Sequence, residues 1–123
     1  AKRSQRPLAM LMMDLDHFKK VNDQHGHLVG DACLQHTALR MQQRMRSNDL
    51  LVRFGGEEFA AVLCDTDQSG AMDLAEQLRA DLASHPCMHQ GLRIDLSLSI
   101  GVYTLIPDSG SDREQLLRRA DEA

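Results

Sequence analysis

Cysteine is scarce and poorly placed for bridging. Cys33, Cys64 and Cys87 are odd in number, widely spaced and without any CxxC pairing, which argues against a disulfide framework or a zinc site. A reducing cytoplasm is the expected setting. Long apolar runs are missing too: the longest, Leu8 to Met13, falls far short of the roughly 20 residues that cross a bilayer, and no signal-peptide pattern precedes it. No membrane contact is expected of this segment, and any membrane attachment of a longer parent protein would come from another part of it. There is also no basic tract. With a net charge of −4 and no run of Lys and Arg to follow a phosphate backbone, DNA and RNA are poor partners. Internal repeats and low-complexity segments are absent.

What is present is ordinary for a globular domain. The 123 residues are 42% hydrophobic and 26% charged, enough for one domain with one core, residues 1–123. Small ligands are better candidates than nucleic acid. An acidic protein binds nucleotides when its carboxylates hold a divalent cation against the phosphates.

Leu8 to Met13 is apolar without alternation and ends at Asp14, as a central strand covered on both faces does. Asp16 to Asn22 predicts a short helical turn, and Gly26 and Gly30 punctuate the way into a longer helix with Leu34, Ala38, Met41 and Met45 on one stripe. Leu50 to Phe54 and Phe59 to Cys64 predict a hairpin turned by Gly55-Gly56-Glu57-Glu58. Ala71, Leu74, Ala75, Leu78 and Leu82 form a second helical stripe, stopped by His85-Pro86. Ile94, Leu96, Leu98, Ile100 and Val102 alternate with small or polar residues, predicting one half-buried strand. A last helix is expected from Asp112, with Leu116, Leu117 and Ala120 apolar. The order predicts an α+β sandwich, helices against a mainly antiparallel sheet, in a ferredoxin-like layout.

Three features bear on chemistry: Asp14 and Asp16 at the end of the first strand, Asn22 and Asp31 beyond it, and Glu57-Glu58 in the glycine hairpin. Singly, each reads as a solvated loop or turn residue. Together, the aspartate ending the strand and the two glutamates of the hairpin can place hard oxygen ligands around one cation, and Mg²⁺ favours few carboxylates completed by substrate phosphates. A helix starting near His17-Phe18-Lys19 offers backbone N–H groups to phosphate, with Lys19 adding charge.

The strings Asp14-Leu-Asp-His-Phe-Lys-Lys-Val-Asn-Asp23, Gly26-His-x-x-Gly30-Asp31, Arg53-Phe-Gly-Gly-Glu-Glu-Phe59 and Ser99-Ile-Gly101 together resemble the GGDEF family of diguanylate cyclase domains across almost the whole chain. Arg119 to Ala123 is similar to the start of that family's final helix. The resemblance implies the palm-type fold of nucleotidyl cyclases, and a chain lacking the family's N-terminal helix and the end of its last helix.

It further implies condensation of two GTP into cyclic di-GMP and two pyrophosphates, one GTP held by each of two facing domains, so that a homodimer is needed for turnover. By resemblance Asp14, Glu57 and the Leu15 carbonyl hold the metal, Mg²⁺ with Mn²⁺ as a substitute, while Asp16 mainly holds the loop. Asn22 and Asp31 read guanine, whose N1–H and 2-amino donors adenine lacks. The alternative for Asp31 is a cap on the following helix. Phe18 and Lys19 belong to the phosphate-binding helix start, and Gly55 and Gly56 allow the nucleotide to approach the backbone. Glu57 stands where the family name has aspartate, an accepted variant, and Glu58 coordinates metal or assists deprotonation of the attacking 3′-hydroxyl.

Arg46 and Asp49 form an RxxD pattern five residues before Gly55, where the family has an inhibitory site for its product. Arg79 is available as a second arginine, and Arg118 to Asp121 repeats the pattern without the placement. His25, His27 and His36 read as structural, and Met41 and Met45 as core filling. Two other functions compete: a silent domain that senses GTP or cyclic di-GMP, and a palm-type cyclase acting on ATP.

Overall fold

The computed structural model describes residues 6–105. The last helix expected from Asp112, and the second RxxD pattern, lie outside the described residues.

Strand β1 (Leu8–Leu15) runs one residue past the aspartate that was expected to end it, and is the centre of the sheet. Helix α1 (Phe18–His25) and helix α2 (His27–Gln42) follow, separated only by Gly26 at φ 92°. Strands β2 (Leu50–Arg53) and β3 (Glu58–Cys64) flank the glycine turn. Helix α3 (Gln68–Ser84) opens on Asp67, whose Oδ1 accepts from the Gly70 N–H at 2.9 Å, and stops before His85-Pro86. Strands β4 (Cys87–His89), β5 (Leu92–Ile94) and β6 (Leu98–Leu105) complete the described chain.

The main sheet has the order β2-β3-β1-β6 with every neighbouring pair antiparallel. Strand, helix, two strands, helix, strand in this order is the ferredoxin-like arrangement. The period of two along β1 divides its side chains between two faces. Ala9, Leu11, Met13 and Leu15 join Phe59, Ala61 and Leu63 in the core beneath α2 and α3, with Leu34, Met41, Ala71, Ala75, Leu78 and Leu82 packed on them. Leu8, Met10 and Ala60 form a smaller cluster on the other face. Four of the five residues expected on the α3 stripe are buried, with Leu74 packed at the core's edge.

Two expectations are corrected. The alternation from Ile94 to Val102 is not one strand: Ile94 pairs with Cys87 in the separate β4–β5 hairpin, and only Leu98 onward joins the main sheet. Ile94, Leu96 and Leu98 are nonetheless all buried, because period two reports which side chains face inward and not which strand they bond to. Helix α2 also ends before Met45. Arg44 and Met45 donate to carbonyls three residues back, at 3.0 and 3.1 Å, the tighter winding common at helix ends. Met45 still packs against the core.

The ends of α2 and α3 are joined by charge. Asp81, almost fully buried, accepts from Arg40 Nε at 2.7 Å and Arg44 Nε at 2.8 Å. These bonds hold its carboxyl down at about 2. Cys33 and Cys87 are buried against one another, and burial together with that neighbour pushes the Cys33 thiol up to about 12. No helix among the described residues is long and apolar enough to cross a membrane.

Candidate active site

The site forms where β1 ends. Asp14 stands opposite Glu58 in the β1–β3 register and opposite Ser99 in the β1–β6 register. The Leu15 N–H donates to the Glu57 carbonyl at 3.2 Å, fastening the hairpin to the strand end. Within the turn, Glu58 N–H bonds to the Gly55 carbonyl at 3.3 Å, Phe54 N–H to the Glu58 carbonyl at 3.0 Å, and Arg53 Nε to the Gly56 carbonyl at 3.1 Å. Gly55 adopts φ 89°, where a side chain is strained. Gly56 faces open space: a Cβ there would touch nothing within 4 Å.

Like charges opposed across a strand pair are unfavourable without a cation. Burial first, then the charges of Glu57, Glu58 and Asp16, raise the Asp14 carboxyl above its ordinary range. Asp16 behaves oppositely. Its Oδ1 accepts from Ser99 Oγ at 2.5 Å and its Oδ2 from Ser97 Oγ at 2.7 Å. The Ser99 bond is the main cause that lowers its carboxyl. Asp16 N–H also bonds to the Ser97 carbonyl at 2.9 Å. Asp16 thus ties β1 to the start of β6. In the sequence Ser97 is visible only as a polar residue of the alternation from Ile94 to Val102, and Ser99 as that and as part of a motif.

Beyond Asp16 the chain turns through His17 at φ 58°, and α1 begins with no side-chain cap. The N–H groups of its first turn have no partner within the helix, so an anion is suited there. Phe18 is buried in the core, which leaves its backbone for that purpose. Lys19 is exposed and pairs with Asp23 at 3.5 Å. Asn22, on the same helix, has its Oδ1 buried with no hydrogen-bond partner. Asp31 is exposed in the second turn of α2. It does not cap that helix, which begins at His27.

No three His, Cys, Asp or Glu side chains among the described residues converge as a metal cage. Two carboxylates and a carbonyl fit instead the sparse protein ligation typical of Mg²⁺, which keeps positions for water and phosphate. Burial first, and then the nearness of Glu57, Glu58 and Asp16, raises the Asp14 carboxyl, a crowding of charge that a divalent cation would relieve.

Arg46 and Asp49 lie elsewhere, at the α2–β2 turn beside a cleft of about 350 Å³. They bind each other: Arg46 Nε and Nη2 reach Asp49 at 3.3 Å, and the Arg46 N–H reaches Asp49 Oδ2 at 2.9 Å. Nη2 also donates to the Cys64 carbonyl at 2.7 Å and Thr66 Oγ1 at 2.8 Å. Arg79 does not line this cleft, to which α3 contributes Gly70 and Leu74. It pairs with Glu76 at 2.7 Å and favours the charge on Asp16.

An antiparallel ferredoxin-like sheet, acids at the end of its central strand and an uncapped helix start beside them are the layout that the resemblance to palm-type nucleotidyl cyclase domains implies. The family model described as diguanylate cyclase, GGDEF domain, matches residues 1–123, and the chain belongs to that family. It is 39% identical over 118 residues to the response regulator PleD of Caulobacter vibrioides, covering 94% of this chain and 26% of that protein. The chain thus spans about a quarter of that relative. Among solved structures it resembles the active GGEEF domain of a diguanylate cyclase from Vibrio cholerae, with TM-score 0.80 and 37% identity over 96% of this chain and 74% of that one. It also resembles the GGDEF domain of DgcB from Caulobacter crescentus, solved in complex with c-di-GMP, with TM-score 0.82 and 25% identity over 95% of this chain and 69% of that one.

Proposed function

We propose that this chain is the catalytic domain of a diguanylate cyclase, which joins two GTP molecules into cyclic di-GMP with release of two pyrophosphates. The observation that carries the reading is the opposition of Asp14 and Glu58 across β1 and β3, with Glu57 fastened beside them through Leu15. Such crowding of acids at a strand end is unfavourable in the empty protein and useful only with a cation.

Asp14, Glu57 and the Leu15 carbonyl would hold Mg²⁺, or Mn²⁺ in its place. When bound, the metal supplies charge neutralisation at the phosphates and lowers the pKa of a nearby hydroxyl. The first turn of α1, from Phe18 and Lys19, receives phosphate oxygens on its backbone N–H groups. Asn22 and Asp31 accept from guanine N–H donors. A buried acceptor left unpaired penalises the wrong base, which favours GTP over ATP. Gly55 turns the hairpin, and the open space at Gly56 lets a nucleotide come close. Glu58 serves the same cluster, as a further oxygen ligand or as acceptor of the 3′-hydroxyl proton.

The bond that forms joins the 3′-oxygen of one GTP to the α-phosphorus of the other, and the bond that breaks releases pyrophosphate. One site holds one GTP, so two copies of the domain must face each other for the reaction to close the ring. Product inhibition at Arg46 and Asp49 is part of the proposal, supported by their cleft and by the guanine- and phosphate-binding chemistry of the pair. Incubation with GTP and Mg²⁺, with nucleotides separated by chromatography, tests the reading. Cyclic di-GMP and pyrophosphate are expected, with ATP a poor substrate. GTP binding without turnover would instead make the domain a sensor.

A further inference from the structure

Glycine is a poor residue for a helix interior, costing stability relative to alanine. Gly30 nevertheless sits inside α2. It does not have the positive φ that would require it, unlike Gly26, Gly55 and Gly91. The reason for it lies on the neighbouring helix. A Cβ at Gly30 would fall well inside the contact distance of Asn22 Oδ1, 3.0 Å from Asn22 Cγ and 3.3 Å from Phe18 Cζ. The volume that glycine leaves empty is the volume in which the Asn22 amide lies. That same Oδ1 is the buried side-chain atom without a hydrogen-bond partner among the described residues. Buried acceptors are almost always satisfied, but this amide is placed by the gap at Gly30 and not by a hydrogen bond of its Oδ1 among the described residues.

We propose that Gly30 is a positioning residue for the guanine site: by vacating this volume it lets the Asn22 amide seat against α2 with Oδ1 in the gap, which fixes the side chain where the base is read. The inference rests on the reading of Asn22 and Asp31 as the base site and adds to it the residue that sets the geometry. Gly30 touches no substrate and acts through Asn22. An alanine there keeps the helix, since alanine is the better helix former. The group that must move is the end of one side chain, so the amide swings out and the fold survives.

The test is a double-mutant cycle read by calorimetric binding of 3′-deoxy-GTP with Mg²⁺, a nucleotide that lacks the attacking hydroxyl, to the wild type, Asn22→Ala, Gly30→Ala and the double variant in the full chain. Each single change should weaken binding by about tenfold or more, the cost of an unpaired buried polar group. Adding Gly30→Ala to Asn22→Ala should cost little further, because the group it displaces is already gone. In turnover, Gly30→Ala should raise KM for GTP more than it lowers kcat, and melting should show no loss of fold. The inference is overturned if Gly30→Ala binds like the wild type, or weakens binding by the same factor with and without Asn22. If Asn22→Ala itself binds normally, the guanine-site reading falls, and the role of Gly30 falls with it.

Discussion

Ser99 Oγ donates to Asp16 Oδ1 at 2.5 Å, joining residues 83 apart in the chain. With Ser97 on the other carboxylate oxygen at 2.7 Å, this bond fixes the turn between β1 and α1. Replacing both serines by alanine should reduce cyclic di-GMP formation roughly 10- to 100-fold, the usual loss when groups orienting a metal site are removed. The fold should persist by circular dichroism. Unchanged turnover would show that the turn holds itself.

Asp14 is ionised at a cost. Its carboxyl is raised by burial and by Glu57, Glu58 and Asp16, so the folded state binds this proton more tightly than the unfolded one. Its contribution to stability is therefore present at low pH and lost as pH rises through the raised value. In metal-free protein at pH 7, Asp14→Asn should raise Tm, and the gain should shrink as the pH falls through the raised value toward about 4, where the unfolded carboxyl also takes up its proton. Activity should fall by roughly 100-fold or more. Melts in chelator at several pH values, beside a turnover assay, check both halves.

Asp81 has the opposite sign. Arg40 and Arg44 hold its carboxyl at about 2, so its stabilisation is complete above about pH 4 and is lost as pH falls through about 2. Asp81→Asn should cost about 2 kcal/mol at neutral pH, measured by urea unfolding, with the deficit vanishing in strong acid. These three residues lie between α2 and α3 and not beside Asp14 and Glu58, so Mg²⁺ dependence should not change.

Arg46 has a structural role and a proposed one to separate. Removing its bonds to Asp49, the Cys64 carbonyl and Thr66 by Arg46→Ala should cost about 1–3 kcal/mol, since it leaves polar partners unsatisfied. If the RxxD site binds product, cyclic di-GMP affinity should also drop at least about tenfold by calorimetry at a temperature where the variant is folded. Lower stability with unchanged affinity would leave Arg46 a structural clamp.

Much of the site was legible because its parts are local. The glycine hairpin, the apolar strand that carries Asp14 and the α3 stripe each follow from spacing within a few residues. The β4–β5 hairpin was not legible. Its strands have three residues each, too short for a period, and its turn rests on Gln90 and Gly91 at φ 51° and 82°. The role of Ser97 was hidden because its partner lies 81 residues away. The reason for Gly30 was hidden because it depends on the volume of an amide on another helix.

By itself the sequence determined the inventory: which residues are acids, amides and glycines, how they are spaced, and which faces are apolar. Hydrophobic periodicity and turn chemistry act over short stretches, and a reader sees them directly. The tertiary structure alone decided that Asp14 faces Glu58, that Asp16 is held by Ser97 and Ser99, and that Arg46 is bonded within its own domain. Those outcomes depend on strand register and on which charges share a small volume, and register is set only when the whole sheet closes.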